Sequence, residues 1–345
     1  MIFPVMEPRN FVHRIVALCV ALACVALPAA GAKGPQLVKP MAGPRGTVLR
    51  TTWLYISPDT GSQKVDRVQI GREMVIADKS AGWMRVYANT DIEEMHTRDT
   101  PVFGDDSTIT PPVSGWIESK GVVDENTPNG DQILMGAAAT QESLASDPRG
   151  PVNAAQSARL LYRRLAEMFP KSPLAGEAAW RAADIQWQIE KADAATRPSA
   201  EERDPYMREQ LDDTELKKVM KYYPNSHWAD LAAYDLIDNQ LCGDWQGAEK
   251  CPEKESGLYE KYANEHSDGP RTAQAMYEAA YRQAVLTNMY ATDGDKGKSD
   301  KAKEHATELA ADLKAKFPQS DYTWRAGLLV YKLDEGIPVY GIDQQ

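Results

Sequence analysis

Phe169-Pro170-Lys171-Ser172, Tyr223-Pro224-Asn225-Ser226, His266-Ser267-Asp268-Gly269 and Phe317-Pro318-Gln319-Ser320 are four versions of one phrase, and their surroundings repeat with them. A large apolar residue stands four positions before each leading aromatic or histidine (Leu165, Val219, Tyr262, Leu313), and an alanine stands nine positions after it (Ala178, Ala232, Ala275, Ala326). Internal repetition of this kind marks stacked helical units. Proline has no N–H to donate, and a nearby Ser or Asp can cap a following helix, so each phrase reads as a tight helix-to-helix turn. The alanine lets two helices approach closely, while the large residue packs across the pair. The helices expected on this basis cover 154–169, 173–190, 214–223, 227–241, 257–265, 270–288, 301–316 and 321–333.

The extra length in each repeat falls after the helix that follows the turn, at Lys191 to Asp213, Cys242 to Ser256 and Asn288 to Asp300. Equivalent points of stacked units lie along one edge, so these insertions are expected to gather on one side of the array, often the partner side.

Ahead of the repeats the pattern changes. Val48-Leu49, Trp53 to Ile56, Val65 to Ile70, Met74 to Ile76, Trp83 to Tyr87 and Trp116-Ile117 are short apolar runs divided by Ser57-Pro58-Asp59, Gly71-Arg72-Glu73, Ala81-Gly82 and Ser114-Gly115. Strands at such spacing argue for a small β-barrel. Tyr55, Trp83, Tyr87 and Trp116 are candidates for an aromatic groove that binds an extended peptide. For Trp83 and Trp116 the reading preferred is filling the barrel, which has few other large residues. The long segment Ala88 to Val113 carries Asp91, Glu93, Glu94, Asp99, Asp105 and Asp106 and reads as an acidic flap.

Leu54-Tyr55-Ile56-Ser57-Pro58-Asp59, Val68-Gln69-Ile70-Gly71-Arg72-Glu73-Met74-Val75, Gly82-Trp83-Met84-Arg85-Val86 and Gly115-Trp116-Ile117 resemble the first strand and its turn, the middle, the Gly-Trp strand and the closing strand of bacterial SH3-like (SH3b) domains. The first-strand arginine usual there is absent. The helical phrases resemble tetratricopeptide-like repeats of exported bacterial envelope proteins, such as the outer-membrane assembly lipoprotein and the Tol-Pal-associated periplasmic protein. Their spacings of 54, 43 and 51 residues exceed the regular repeat of about 34. The fold expected is therefore multidomain, β plus all-α. Its parts are a leader at 33–45, an SH3-like β-barrel at 46–123, a linker at 124–153 that includes one short helix, a solenoid of four helix hairpins at 154–333, and a tail at 334–345. The resemblance implies binding of a peptidoglycan peptide or a protein tail by the β module and of a protein partner by the repeats.

Arg9, His13 and Arg14 precede an apolar run, Ile15 to Leu27, and a small-residue end at Ala32, the form of a secretory signal peptide over 1–32. The run is too short to span a bilayer, so the expected location is periplasmic or secreted. Cys24 leaves a lipid anchor as the alternative. In an oxidising compartment Cys242 and Cys251 form a local disulfide most simply, with free thiols or metal ligation as the other readings.

The net charge of −11 excludes the usual electrostatics of nucleic-acid binding. No His pair has zinc spacing, no glycine loop cradles phosphate, and no nucleophile elbow is present, so neither an enzyme nor a cofactor is expected. Asp293, Asp295, Ser299 and Glu304 fall at positions 1, 3, 7 and 12 of a calcium loop, but Lys298 stands where the turn glycine belongs. A solvated acidic loop is the reading preferred.

Overall fold

The computed structural model describes residues 43–91 and 112–340, all within one compact unit. The expected signal peptide with Cys24, most of the expected leader, the expected flap residues from Glu93 to Asp106, and 341–345 lie outside the described residues. None of the described helices is long and apolar enough to cross a membrane.

Seven short strands come first: β1 (Arg45–Val48), β2 (Thr52–Tyr55), β3 (Lys64–Val68), β4 (Met74–Ser80), β5 (Trp83–Ala88), β6 (Val113–Glu118) and β7 (Val122–Asp124). All pair antiparallel in the order β3-β2-β6-β5-β4-β1-β7. Alternation sorts their side chains. Leu54, Met74, Ile76, Val86, Ala88 and Ile117 point inward and, with Val48 and Val68, make an aliphatic core.

The helical region has nine α-helices among the described residues. Helix α1 (Gly130–Ala145) precedes four hairpins: α2 (Ala154–Met168) with α3 (Ala175–Ala194), α4 (Thr214–Tyr222) with α5 (His227–Asp235), α6 (Lys250–Glu265) with α7 (Thr272–Thr292), and α8 (Lys296–Lys316) with α9 (Asp321–Asp334). The four repeated phrases form one backbone turn. Phe169, Tyr223, His266 and Phe317 end their helices with φ between −123° and −129° and ψ between 51° and 57°. Each donates its N–H to the carbonyl of the large residue four positions back. Ala178, Ala232, Ala275 and Ala326 are all wholly buried, as the close helix approach requires.

Three details depart from the sequence reading. The segment 130–145 is part of the packed body: Leu134 and Ala138 share a core with Leu161, Leu165, Ala178 and, from the sheet, Val123. Helix α6 starts seven residues earlier than expected, with Pro252 in its first turn, where a missing N–H costs nothing. Helices α7 and α8 run almost into each other, separated by Asp293-Gly294-Asp295, with Gly294 at φ 79°.

The sheet and the helices meet through Gly71, at φ 78°, where an added Cβ would lie 2.6 Å from Leu160 Cβ. Beside it Arg164, only 2% exposed at its side chain, holds Glu73 at 2.9 Å and reaches Asp91 at 3.5 Å. Arg45 binds the same Glu73 oxygen at 2.9 Å, and Arg72 binds Asp91 at 2.7 Å. Asp91, read as part of the flap, is instead buried and ion-paired.

Candidate binding surfaces

The outward face of the sheet gathers the aromatic residues. Across three neighbouring strands Tyr55 pairs with Trp116 and Trp116 with Arg85; Trp83 pairs with Glu118, and Tyr87 with Ser114. Tyr55, Trp83, Tyr87 and Trp116 therefore share the face opposite the aliphatic core. The Tyr55 and Trp83 rings meet edge to face at 5.6 Å. Tyr55 is nearly covered, at 9% exposure, whereas Trp83, Tyr87 and Trp116 are half-buried. Neither tryptophan belongs to the aliphatic core, so the reading of these rings as barrel filling does not hold. Trp53 extends the same face, with Arg67 at 4.2 Å and Lys64 at 4.6 Å from its ring centre. Its position two residues before Tyr55 was the signal for it.

A second surface lies on the helical region. The segments read as three insertions line one cavity of about 900 Å³ that includes Ala200, Glu201, Arg208 and Leu211 from the first, Leu241 to Gly247 at the second, and Asn288, Met289 and Thr292 at the third, which the structure makes the end of α7. Two backbone hydrogen bonds stitch the first insertion to the second, Gly243 N–H to Glu202 O at 2.9 Å and Asp244 N–H to Glu201 O at 3.1 Å. Only glycine fits this crossing, since a Cβ at 243 would come within 2.3 Å of Ala200 O.

Behind the stitch, a disulfide joins Cys242 and Cys251, whose Cα atoms are 6.0 Å apart. One carboxylate orders the loop it closes. Glu255, 1% exposed, accepts hydrogen bonds from Cys242 N–H at 2.9 Å, Trp245 Nε1–H at 3.1 Å and Arg282 Nε–H at 2.8 Å. Arg282 also binds Glu278 at 2.6 Å. Burial works to lower its guanidinium, and Tyr259, Glu255 and Glu278 together outweigh it and hold the group above the usual arginine range.

Asp293, Asp295, Ser299 and Glu304 do not converge. Asp295 caps α8 by accepting from Lys298 N–H, Ser299 donates to Thr287 O at 2.8 Å, and Asp293 shares a hydrogen bond with Glu249 that raises its carboxyl. Among the described residues no His, Cys, Asp and Glu cluster has the arrangement of a metal site.

No protein-family model matches the chain, and no curated protein matches it. Among solved structures one similar chain is the DHF58 filament, at 17% identity over 59% of this chain and 91% of that one, with a TM-score of 0.22. A superposition that poor carries no inference of fold or function.

Proposed function

We propose that the protein is a non-catalytic, exported cell-envelope protein. Its SH3-like module binds a wall peptide or protein tail, and its tetratricopeptide-like array holds a protein partner. The observation that supports this reading is the placement of Trp83, Tyr87 and Trp116, half-exposed, on one outward face of two adjacent strands. Rings in that position are not needed to fill the core, and flat apolar faces beside Arg85 and Glu118 suit an extended peptide with polar edges.

A second reading, an accessory scaffold subunit of an envelope assembly or export complex with no wall contact, is favoured by one detail. Tyr55 is buried under Trp83, so part of the aromatic face serves its own packing.

The test is titration of the purified protein with peptidoglycan stem peptides, alongside a sacculus pull-down. Tyr87→Ala and Trp116→Ala are expected to weaken binding by roughly tenfold while leaving the fold intact. Absence of sacculus binding by the wild type would leave the scaffold reading in its place.

A further inference from the structure

We propose that the cavity framed by the three insertions seats an extended segment of a partner protein in which apolar residues alternate with lysine or arginine. The inference rests on the reading of the helical array as a partner-binding scaffold, and it assigns that partner a chemistry and a place.

Shape comes first. At about 900 Å³ the cavity is at the large end of ligand sites, which run to roughly 1,000 Å³, and it is walled by irregular backbone of the first two insertions and by the ends of α3 and α7. Half-buried Leu211, Leu241 and Met289, with buried Trp245, give it an apolar floor.

Charge comes second. Glu201 and Asp244 line it and are exposed, so they form an acidic rim; Glu209, also exposed there, is ion-paired with Arg197. Of the two cations that also line it, Lys191 is neutralised by an acid, whereas Arg208 is turned onto a backbone carbonyl and keeps its charge. Lys191 Nζ binds Asp238 at 2.7 Å, and Arg208 Nη1 donates to Leu241 O at 2.8 Å. An acidic rim on a chain of net charge −11 selects a cationic partner.

The chain's own tail shows how the wall handles non-helical backbone. Residues 336–340 (Gly-Ile-Pro-Val-Tyr) leave α9 and reach the cavity edge, where Asn288 Nδ2 donates to Val339 O at 3.1 Å and Tyr281 Oη donates to Tyr340 O at 2.9 Å. Val339 inserts beside Trp245, Ala284 and Val285. The helix wall thus takes a polypeptide by its carbonyls and one aliphatic side chain. In an extended segment successive side chains face opposite ways, so alternating apolar and basic residues would meet floor and rim in turn.

The experiment uses the purified protein with its disulfide intact and three fluorescein-labelled peptides, (Lys-Val)₃, (Glu-Val)₃ and (Lys-Ser)₃, read by anisotropy. (Lys-Val)₃ is expected to bind at least about tenfold more tightly than either of the others. The double variant Glu201→Gln/Asp244→Asn keeps side-chain shape, including the Asp244 turn to Gln246 N–H, and is expected to lose about fivefold or more. Tyr87→Ala, which alters the sheet face, should leave (Lys-Val)₃ affinity unchanged. Equal binding of (Lys-Ser)₃ would reduce the effect to bulk charge and overturn the inference, as would unchanged affinity of the double variant. Loss on Tyr87→Ala in place of the acids would move the ligand to the sheet, sinking this inference while leaving the proposed function standing. Selective (Lys-Val)₃ binding without any sacculus binding would do the reverse to the wall-binding part of that function.

Discussion

Glu73 at the sheet–helix junction and Glu255 behind the disulfide loop do similar work in two regions, and they are built differently. Glu73 is one member of a spread network. Arg164 and Arg45 share its Oε2, Thr90 donates to its Oε1 at 2.7 Å, and neighbouring Asp91 has Arg72 of its own. Glu255 stands alone as the acceptor for two uncharged N–H groups and one arginine. A network with several cations can lose one and stay neutralised. A single acceptor cannot be replaced, so removing it leaves every donor stranded.

The largest effect should therefore come from Glu255→Ala. Cys242 N–H, Trp245 Nε1–H and Arg282 Nε–H would all lose their acceptor, with Glu278 left as the partner of Arg282. The expected cost is about 3–5 kcal/mol, measured by urea unfolding of the oxidised protein. A loss below about 1 kcal/mol would mean that the loop is held by the disulfide alone.

Arg164→Met sharpens the comparison from the other side. Its buried side chain is replaced by one of similar length, while Arg45 stays on Glu73 and Arg72 stays on Asp91. The expected cost is smaller, about 2–3 kcal/mol. If Arg164→Met costs more than Glu255→Ala, the network is not redundant and the contrast fails. Unfolding should remain one transition, because Val123 of the sheet is packed in the same core as α1 and α2.

These two centres also mark where sequence reading stops. The repeat phrases are local, each fixed by residues within about a dozen positions, and all four turns were legible from the leading aromatic or histidine, the large residue four before it and the alanine nine after it. Arg164 and Glu73 are 91 positions apart, and nothing in either neighbourhood names the other. The tryptophans were misassigned for another reason. Size suggested that they fill the core, whereas alternation decides. Arg85 lies on one face with Trp83 and Tyr87, and an exposed arginine between two rings marks the wet side. The start of α8 was placed late because Lys296-Gly297-Lys298 reads as loop until Asp295 is recognised as its cap.

A third carboxyl, on the half-buried Asp235, has Arg271 only as a minor counter-charge and holds its proton to an unusually high pH. Asp235 Oδ2 is buried without a hydrogen-bond partner, and the carboxyl is pushed up to about 7, first by burial and then by the like charges of Asp184 and Asp238. Asp184 is raised in the same direction, also chiefly by burial. The folded state thus binds protons more tightly than the unfolded chain between an ordinary aspartate value of 3.8 and about 7. Stability from this site is full below that window and is lost as pH rises through it, by at most about 1.4 kcal/mol per pH unit. Asp235→Asn should flatten this fall, so the variant gains on wild type as pH goes from 5 to 7.5 in paired urea melts. A fall of equal slope in the variant would assign the pH dependence elsewhere.

The smallest effect tests the turns themselves, where the third copy departs from the others. It has no proline and carries Gly269 where the others have serine. In the other copies that serine accepts a backbone N–H: Ser172 from Leu174, Ser226 from Ala229 and Ser320 from Tyr322. The third turn is held instead by Thr272, 1% exposed, whose hydroxyl lies against His266 O and Gly269 O. The fourth copy has both devices, since Thr323 Oγ1 donates to Phe317 O at 2.7 Å in addition to the Ser320 cap. Thr272→Ala should then cost about 1 kcal/mol, more than Thr323→Ala, where the proline and the serine remain to fix the turn. Thermal melts of the two single variants decide it. Equal losses would show that each threonine acts only through its own hydrogen bond, and that the proline and serine of the fourth copy do not compensate for what the third lacks.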